Sequence, residues 1–146
     1  ERVGALSIVT ATADEAARTL SQVKRVVRTN YSNPPTHGGR IVATVLDSPE
    51  LHGLWEEELG QMRSRIRAMR EQLVALLQAR VPGRDYGFVT RQRGIFSYSG
   101  LSKAQVDRLR EQYAIYAIDS GRICVAALNT RNLEYVADAI AAVMAS

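Results

Sequence analysis

Ser48-Pro49-Glu50 and Pro82-Gly83 bracket a stretch that no proline interrupts, and this stretch dictates most of what the chain can become. Serine can cap a helix and proline suits its first turn, whereas Pro-Gly stops one. Between them stand Leu51, Trp55, Leu59, Met62, Ile66, Met69, Leu73 and Leu76. After the first four-residue steps the spacing alternates three and four, a heptad-like seam. One long helix over about 48–81 is therefore expected. Such a seam can pair two chains as a coiled coil. It is not sustained beyond one helix, and strands elsewhere need covering, so packing on the chain's own sheet is the preferred reading.

The flanks differ in character. VGALSIVTA (3–11) is a near-continuous apolar run, expected to be a buried strand. Thr12 and Glu15 then form a capping-box pattern opening a helix over about 13–31, with Ala16, Leu20, Val23 and Val27 on one stripe. SNPP (32–35) ends it, and a short helix over 38–46 follows. Beyond residue 85, YGFVT and GIFSYSG read as strands, Ser102 and Gln105 as a second capping box, AIYAI and RICVAAL as strands, and the last seventeen or so residues as a helix. This is an α/β chain without internal repeats or a low-complexity linker.

The sequence of 146 residues is 46% hydrophobic and 23% charged, ordinary for a soluble globular protein. It holds no apolar run of the roughly 18–20 residues a membrane span needs, and its first residues do not read as a signal peptide. With no methionine at position 1, it is expected to be a piece of a longer polypeptide. A lone cysteine, Cys124, excludes an internal disulfide, fits a reducing, cytoplasmic setting, and reads as a small buried apolar side chain. Two isolated histidines and one cysteine argue against a structural metal site.

The net charge is +4, and seventeen of the nineteen basic residues are arginine, the exceptions being Lys24 and Lys103. Arg63, Arg67 and Arg70 share one helical face that could track phosphates. Glu56, Glu57, Glu58 and Glu71 flank them and no aromatic platform is interleaved, so a solvated face is expected and nucleic acid is not. Arg122, following Gly121 at a strand mouth among apolar residues, needs an anion if it is buried. A ligand or a structural ion pair with Asp119 or Glu134 would each serve. Arg28 lies near a helix C-terminus, which favours a cation with or without a ligand.

Several segments in order, ERVGAL, RTNYSNPPTHG, RIRAMREQL, RGIFSYSGL and YAIDSGRICVAALN, resemble class I aminotransferases. The likeness is to the aspartate and aromatic amino-acid branch of the fold-type I pyridoxal-phosphate enzymes. It covers essentially the whole chain, which corresponds to the C-terminal side of such an enzyme. The resemblance implies that residues 1–46 end the large cofactor domain, 47–81 form the interdomain helix, and 82–146 make most of the small domain. It implies that Arg2 holds the cofactor phosphate and that Arg122 clamps the substrate α-carboxylate. Arg28 would reach the partner subunit's site in a homodimer, facing the distal carboxylate of an acidic substrate. Ser32 would lie near the partner's cofactor phosphate, with Asn33 in the same intersubunit segment, and Phe96 would line the substrate side. The implied reaction is ping-pong transfer of an amino group between amino acid and 2-oxo acid. The Schiff-base lysine of the family falls upstream of residue 1, and neither Lys24 nor Lys103 matches its motif. Residues 1–146 alone are therefore expected to be inactive. Arg28 points to acidic substrates, whereas GRICVAALNT has the apolar look of aromatic-specific members. The alternative is a non-enzymatic binding or dimerisation module built on the basic, heptad-patterned helix.

Overall fold

The computed structural model describes residues 2–145. The chain divides into two compact units, Glu1–Glu57 and Glu58–Ser146, with the division inside its longest helix. The elements are α1 (Ala13–Asn30), α2 (Thr36–Asp47), α3 (Pro49–Arg80), α4 (Gly87–Arg91), β1 (Phe96–Tyr98), α5 (Lys103–Tyr113), β2 (Arg122–Cys124) and α6 (Leu133–Met144). A 3₁₀ turn, Val125–Ala127, follows β2.

In the first unit the start signals act as read. Thr12 Oγ1 accepts from the Glu15 amide at 3.2 Å, while the Glu15 carboxylate reaches back to the Ala11 amide at 3.1 Å. Ser48 Oγ accepts from the Leu51 amide and caps α3. The expected strand at 3–11 does not form. A strand exists only against a neighbour, and the described residues of this unit provide none, so Leu6 is 77% and Val9 97% exposed. Leu6 and Ile8 instead border an apolar cleft beside Leu20 and Val23 of α1. Of this unit's described residues only Gly38 is buried. Trp55 lies edge-on to His52, with ring centres 5.5 Å apart.

The second unit holds the core. Met69, Leu73, Val74 and Leu77 of α3 are buried with Tyr86, Val89, Val106, Leu109, Val125, Ala137, Ile140 and Val143. α5 packs on α6, and Ser102 and Gln105 complete the capping box. β1 and β2 form one antiparallel ribbon, registered Phe96–Cys124, Ser97–Ile123 and Tyr98–Arg122.

Three expectations fail here, for local reasons. YGFVT is helical, because the Asp85 carboxylate accepts from the Gly87 amide at 2.7 Å and turns the chain into α4. AIYAI stays extended after Ala114 adopts a left-handed φ of 52°. Its burial alternates as a strand's would, with Ile115 and Ala117 inward and Tyr116 and Ile118 outward, but no strand among the described residues pairs with it. Cys124 is exposed rather than buried. It shares the face of β2 that carries Arg122, since alternate strand residues point the same way.

Candidate functional site

The ribbon sorts its side chains by parity. Ser97 is buried and Ile123 half-buried on one face, while Phe96, Tyr98, Arg122 and Cys124 are exposed on the other. Phe96 and Arg122 are diagonal neighbours in this register, within reach of long and aromatic side chains. The Arg122 guanidinium carbon lies 4.8 Å from the Phe96 ring centre, a cation–π contact.

A tight turn delivers Arg122 to this place. Gly121 is buried with φ +78°, and an added Cβ would stand 2.6 Å from the Leu101 carbonyl oxygen. Ser99 fastens the turn, donating from its backbone N–H at 2.9 Å and its Oγ at 2.7 Å to the Gly121 carbonyl. Both anions suggested as structural partners are engaged elsewhere. Asp119 pairs with Lys103 and Arg110, and Glu134 and Asp138 pair with Arg80. Those hydrogen bonds, Asp138's first, raise the Arg80 pKa further. Among the described residues Arg122 makes no ion pair, so its charge faces solvent over an aromatic floor.

In the other unit, Arg28 donates to Ser32 Oγ. Ser32 has a left-handed φ of 70°, and the Asn33 amide donates to the Tyr31 carbonyl at 2.8 Å. Arg2 borders a cleft of about 310 Å³ with Gly4, Pro34, Pro35, Gly38 and Gly39. This cleft lies at the first turn of α2, whose N-cap residue is Pro35. A guanidinium beside a helix N-terminus is a donor set for a phosphate dianion, so the phosphate end of pyridoxal phosphate fits here. Its aldehyde needs an amine, and neither lysine borders the cleft. Lys24 lies on the exposed side of α1. Lys103 is bound by Asp107 and Asp119, and the Asp107 hydrogen bond in particular raises its pKa. The structure thus brings Phe96 to Arg122 in one unit, and Arg28 to Ser32 in the other.

Sequence reasoning missed two arginines of the basic run. Arg70 is not solvated but 4% exposed, donating to the carbonyls of Val89, Gly94 and Phe96. Arg65 donates to the carbonyls of Ala126 and Leu128. Burial chiefly, and the nearby Arg93 charge, lower the Arg70 pKa. The signal was present: Arg70 sits between Met69 and Leu73 and four residues before Val74, on the inward stripe.

The family model described as aminotransferase class I and II matches residues 1–140. The chain belongs to that family. It is 63% identical over 144 residues to an aspartate aminotransferase of Pseudomonas aeruginosa and 52% identical to an aromatic-amino-acid aminotransferase of Escherichia coli. Each alignment covers 99% of this chain and 36% of the relative, so the chain spans about a third of their length. A crystal structure of the aromatic-amino-acid aminotransferase from Burkholderia pseudomallei, covalently bound to pyridoxal phosphate, superposes with a TM-score of 0.86 at 68% identity. It matches 92% of this chain and 34% of its own. The aromatic aminotransferase of Psychrobacter sp. B6, cocrystallised with aspartic acid, superposes with a TM-score of 0.89 at 43% identity, over 94% of this chain and 35% of its own. The architecture is accordingly that of part of a fold-type I aminotransferase. Among the described residues no group of three or more His, Cys, Asp or Glu could hold a metal ion, and no helix is long and apolar enough to cross a membrane.

Proposed function

We propose that the full-length protein is a pyridoxal-phosphate-dependent aminotransferase, exchanging an amino group between an acidic or aromatic amino acid and a 2-oxo acid. The observation that carries this reading is Arg122, an exposed guanidinium over Phe96, with Asp119 and Glu134, the counter-ions its sequence suggested, bound elsewhere. A planar guanidinium receives a carboxylate through two parallel hydrogen bonds, which suits the α-carboxylate common to every substrate. Phe96 then walls the substrate side, and Arg2 with the first turn of α2 receives the cofactor phosphate.

When bound, pyridoxal phosphate supplies the electron sink for the carbanion left by α-proton removal. The residues of this chain recognise and orient. In a homodimer Arg28 faces the distal carboxylate in the partner's site, with Ser32 and Asn33 in the same segment. Ser32 there accompanies the partner's cofactor phosphate; its hydroxyl accepts from Arg28 and keeps its own proton to donate to the anion. Residues 1–46 belong to the large domain, 47–81 to the interdomain helix and 82–146 to the small domain. The rival module on the basic helix has fewer cations to use, because Arg65 and Arg70 are committed to main-chain carbonyls.

Steady-state kinetics of the full-length protein on aspartate and phenylalanine test the reading. Arg122→Lys should lower kcat/KM for both by about a hundredfold, or about 2.7 kcal/mol, on loss of the bidentate pair. Arg28→Ala should lower it far more for aspartate than for phenylalanine. Equal losses on the two substrates in Arg28→Ala would remove the distal-carboxylate role, and full activity in Arg122→Lys would remove the clamp.

A further inference from the structure

Arg70 presents an energetic problem that stability alone does not solve. It lies in the core of the second unit, and no carboxylate pairs with it among the described residues. Burying a guanidinium is costly, and an apolar side chain of similar volume commonly serves stability as well or better. What an apolar residue cannot do is hold several carbonyl oxygens at once. Arg70 donates from Nη1 to the Val89 carbonyl at 3.0 Å, and from Nη2 to the Gly94 and Phe96 carbonyls at 2.8 and 2.7 Å. These oxygens sit within α4, at a glycine with φ +84°, and on the first residue of β1. One rigid fork thus fixes the whole excursion between α4 and the ribbon.

That excursion ends on Phe96, whose ring lies under Arg122. One arginine holds the carbonyl of Phe96, and the other rests on its ring. The turn that follows β2 is tied to the same place, since the Val125 amide donates to the Ile95 carbonyl at 2.8 Å. Resting on the reading of Arg122 as the carboxylate clamp, we propose that Arg70 is a positioning residue for carboxylate recognition: by anchoring the carbonyls of Val89, Gly94 and Phe96 it sets Phe96 where the ring orients the Arg122 guanidinium. Lysine, a compact point charge, cannot span the three oxygens as the planar fork does.

The test is calorimetric binding of 3-phenylpropanoate, a carboxylate without a reacting amine, to the full-length protein. Arg122→Lys serves as the reference variant, and Val106→Ala as a destabilised core control. Arg70→Gln is expected to weaken binding about tenfold through misplacement alone, with Val106→Ala binding as the parent does. On a Phe96→Ala background the Arg70→Gln effect should vanish, because the route through the ring is gone. Unchanged affinity in Arg70→Gln, alongside a loss in Arg122→Lys, overturns the inference and leaves the clamp standing. An Arg70→Gln effect of full size on the Phe96→Ala background overturns it too. Unchanged affinity in Arg122→Lys overturns the clamp reading and this inference with it. Should Arg70→Gln fail to fold, Arg70→Lys is read in the same assay: a severalfold loss is expected, and parent-like binding overturns the proposal.

Discussion

Gly121 and Ser99 together place Arg122, and they do so by excluding alternatives. The glycine φ of +78° lies where L side chains are strained, and a Cβ there would press on a backbone carbonyl, which has little freedom to move. The two costs add, so Gly121→Ala should destabilise the second unit by roughly 2–3 kcal/mol. A urea titration followed by far-ultraviolet circular dichroism checks this, and an unchanged midpoint would contradict the close approach to Leu101. Arg122 itself illustrates a limit of residue-level reading. Its sequence context favoured a structural ion pair over a ligand, whereas Asp119 and Glu134 are engaged by other cations.

At the scale of elements, every helix but α4 was legible, while three of the five expected strands did not form. α5 shows why helices are: the Ser102 hydroxyl accepts from the Gln105 amide while the Gln105 side chain accepts from the Ser102 amide, all within four residues. Ser102→Ala should therefore cost about 1 kcal/mol, and Ser102→Asp should recover most of it; thermal unfolding of the two variants measures both. If Ser102→Ala melts with the parent, the cap contributes nothing. Strands are relations between distant segments, and the sequence shows only one side of each relation. The run 3–11 has the composition of a strand and no described neighbour, AIYAI has the alternation without a ladder, and YGFVT is claimed by the Asp85 turn. Phe96 and Arg122 became neighbours through the register of a three-residue ribbon, which no local pattern encodes. Arg70 looked solvated because charge was weighed before its place on the inward stripe of α3.

At the scale of the molecule, apolar burial is lopsided: among the described residues every buried hydrophobic side chain lies in the second unit. Amines are equally sparse, with Lys103 held protonated beside Asp107 and Asp119 and Lys24 exposed on α1. Residues 1–146 incubated with pyridoxal phosphate should accordingly show no visible absorption band that responds to added amino acid; such a band would mean that one of these lysines serves after all. The lopsided burial also decides how any unfolding of this chain can be watched. Its single tryptophan, Trp55, lies in the first unit, 44% exposed and edge-on to His52. Its indole is partly open to water and lies outside the core of the second unit, so its emission should change little when that core melts. The fluorophore inside that core is Tyr86, fully buried with its hydroxyl directed at the Met144 sulfur. Excitation that favours indole would report a protein with almost no transition, while tyrosine emission or dichroism would report a cooperative one.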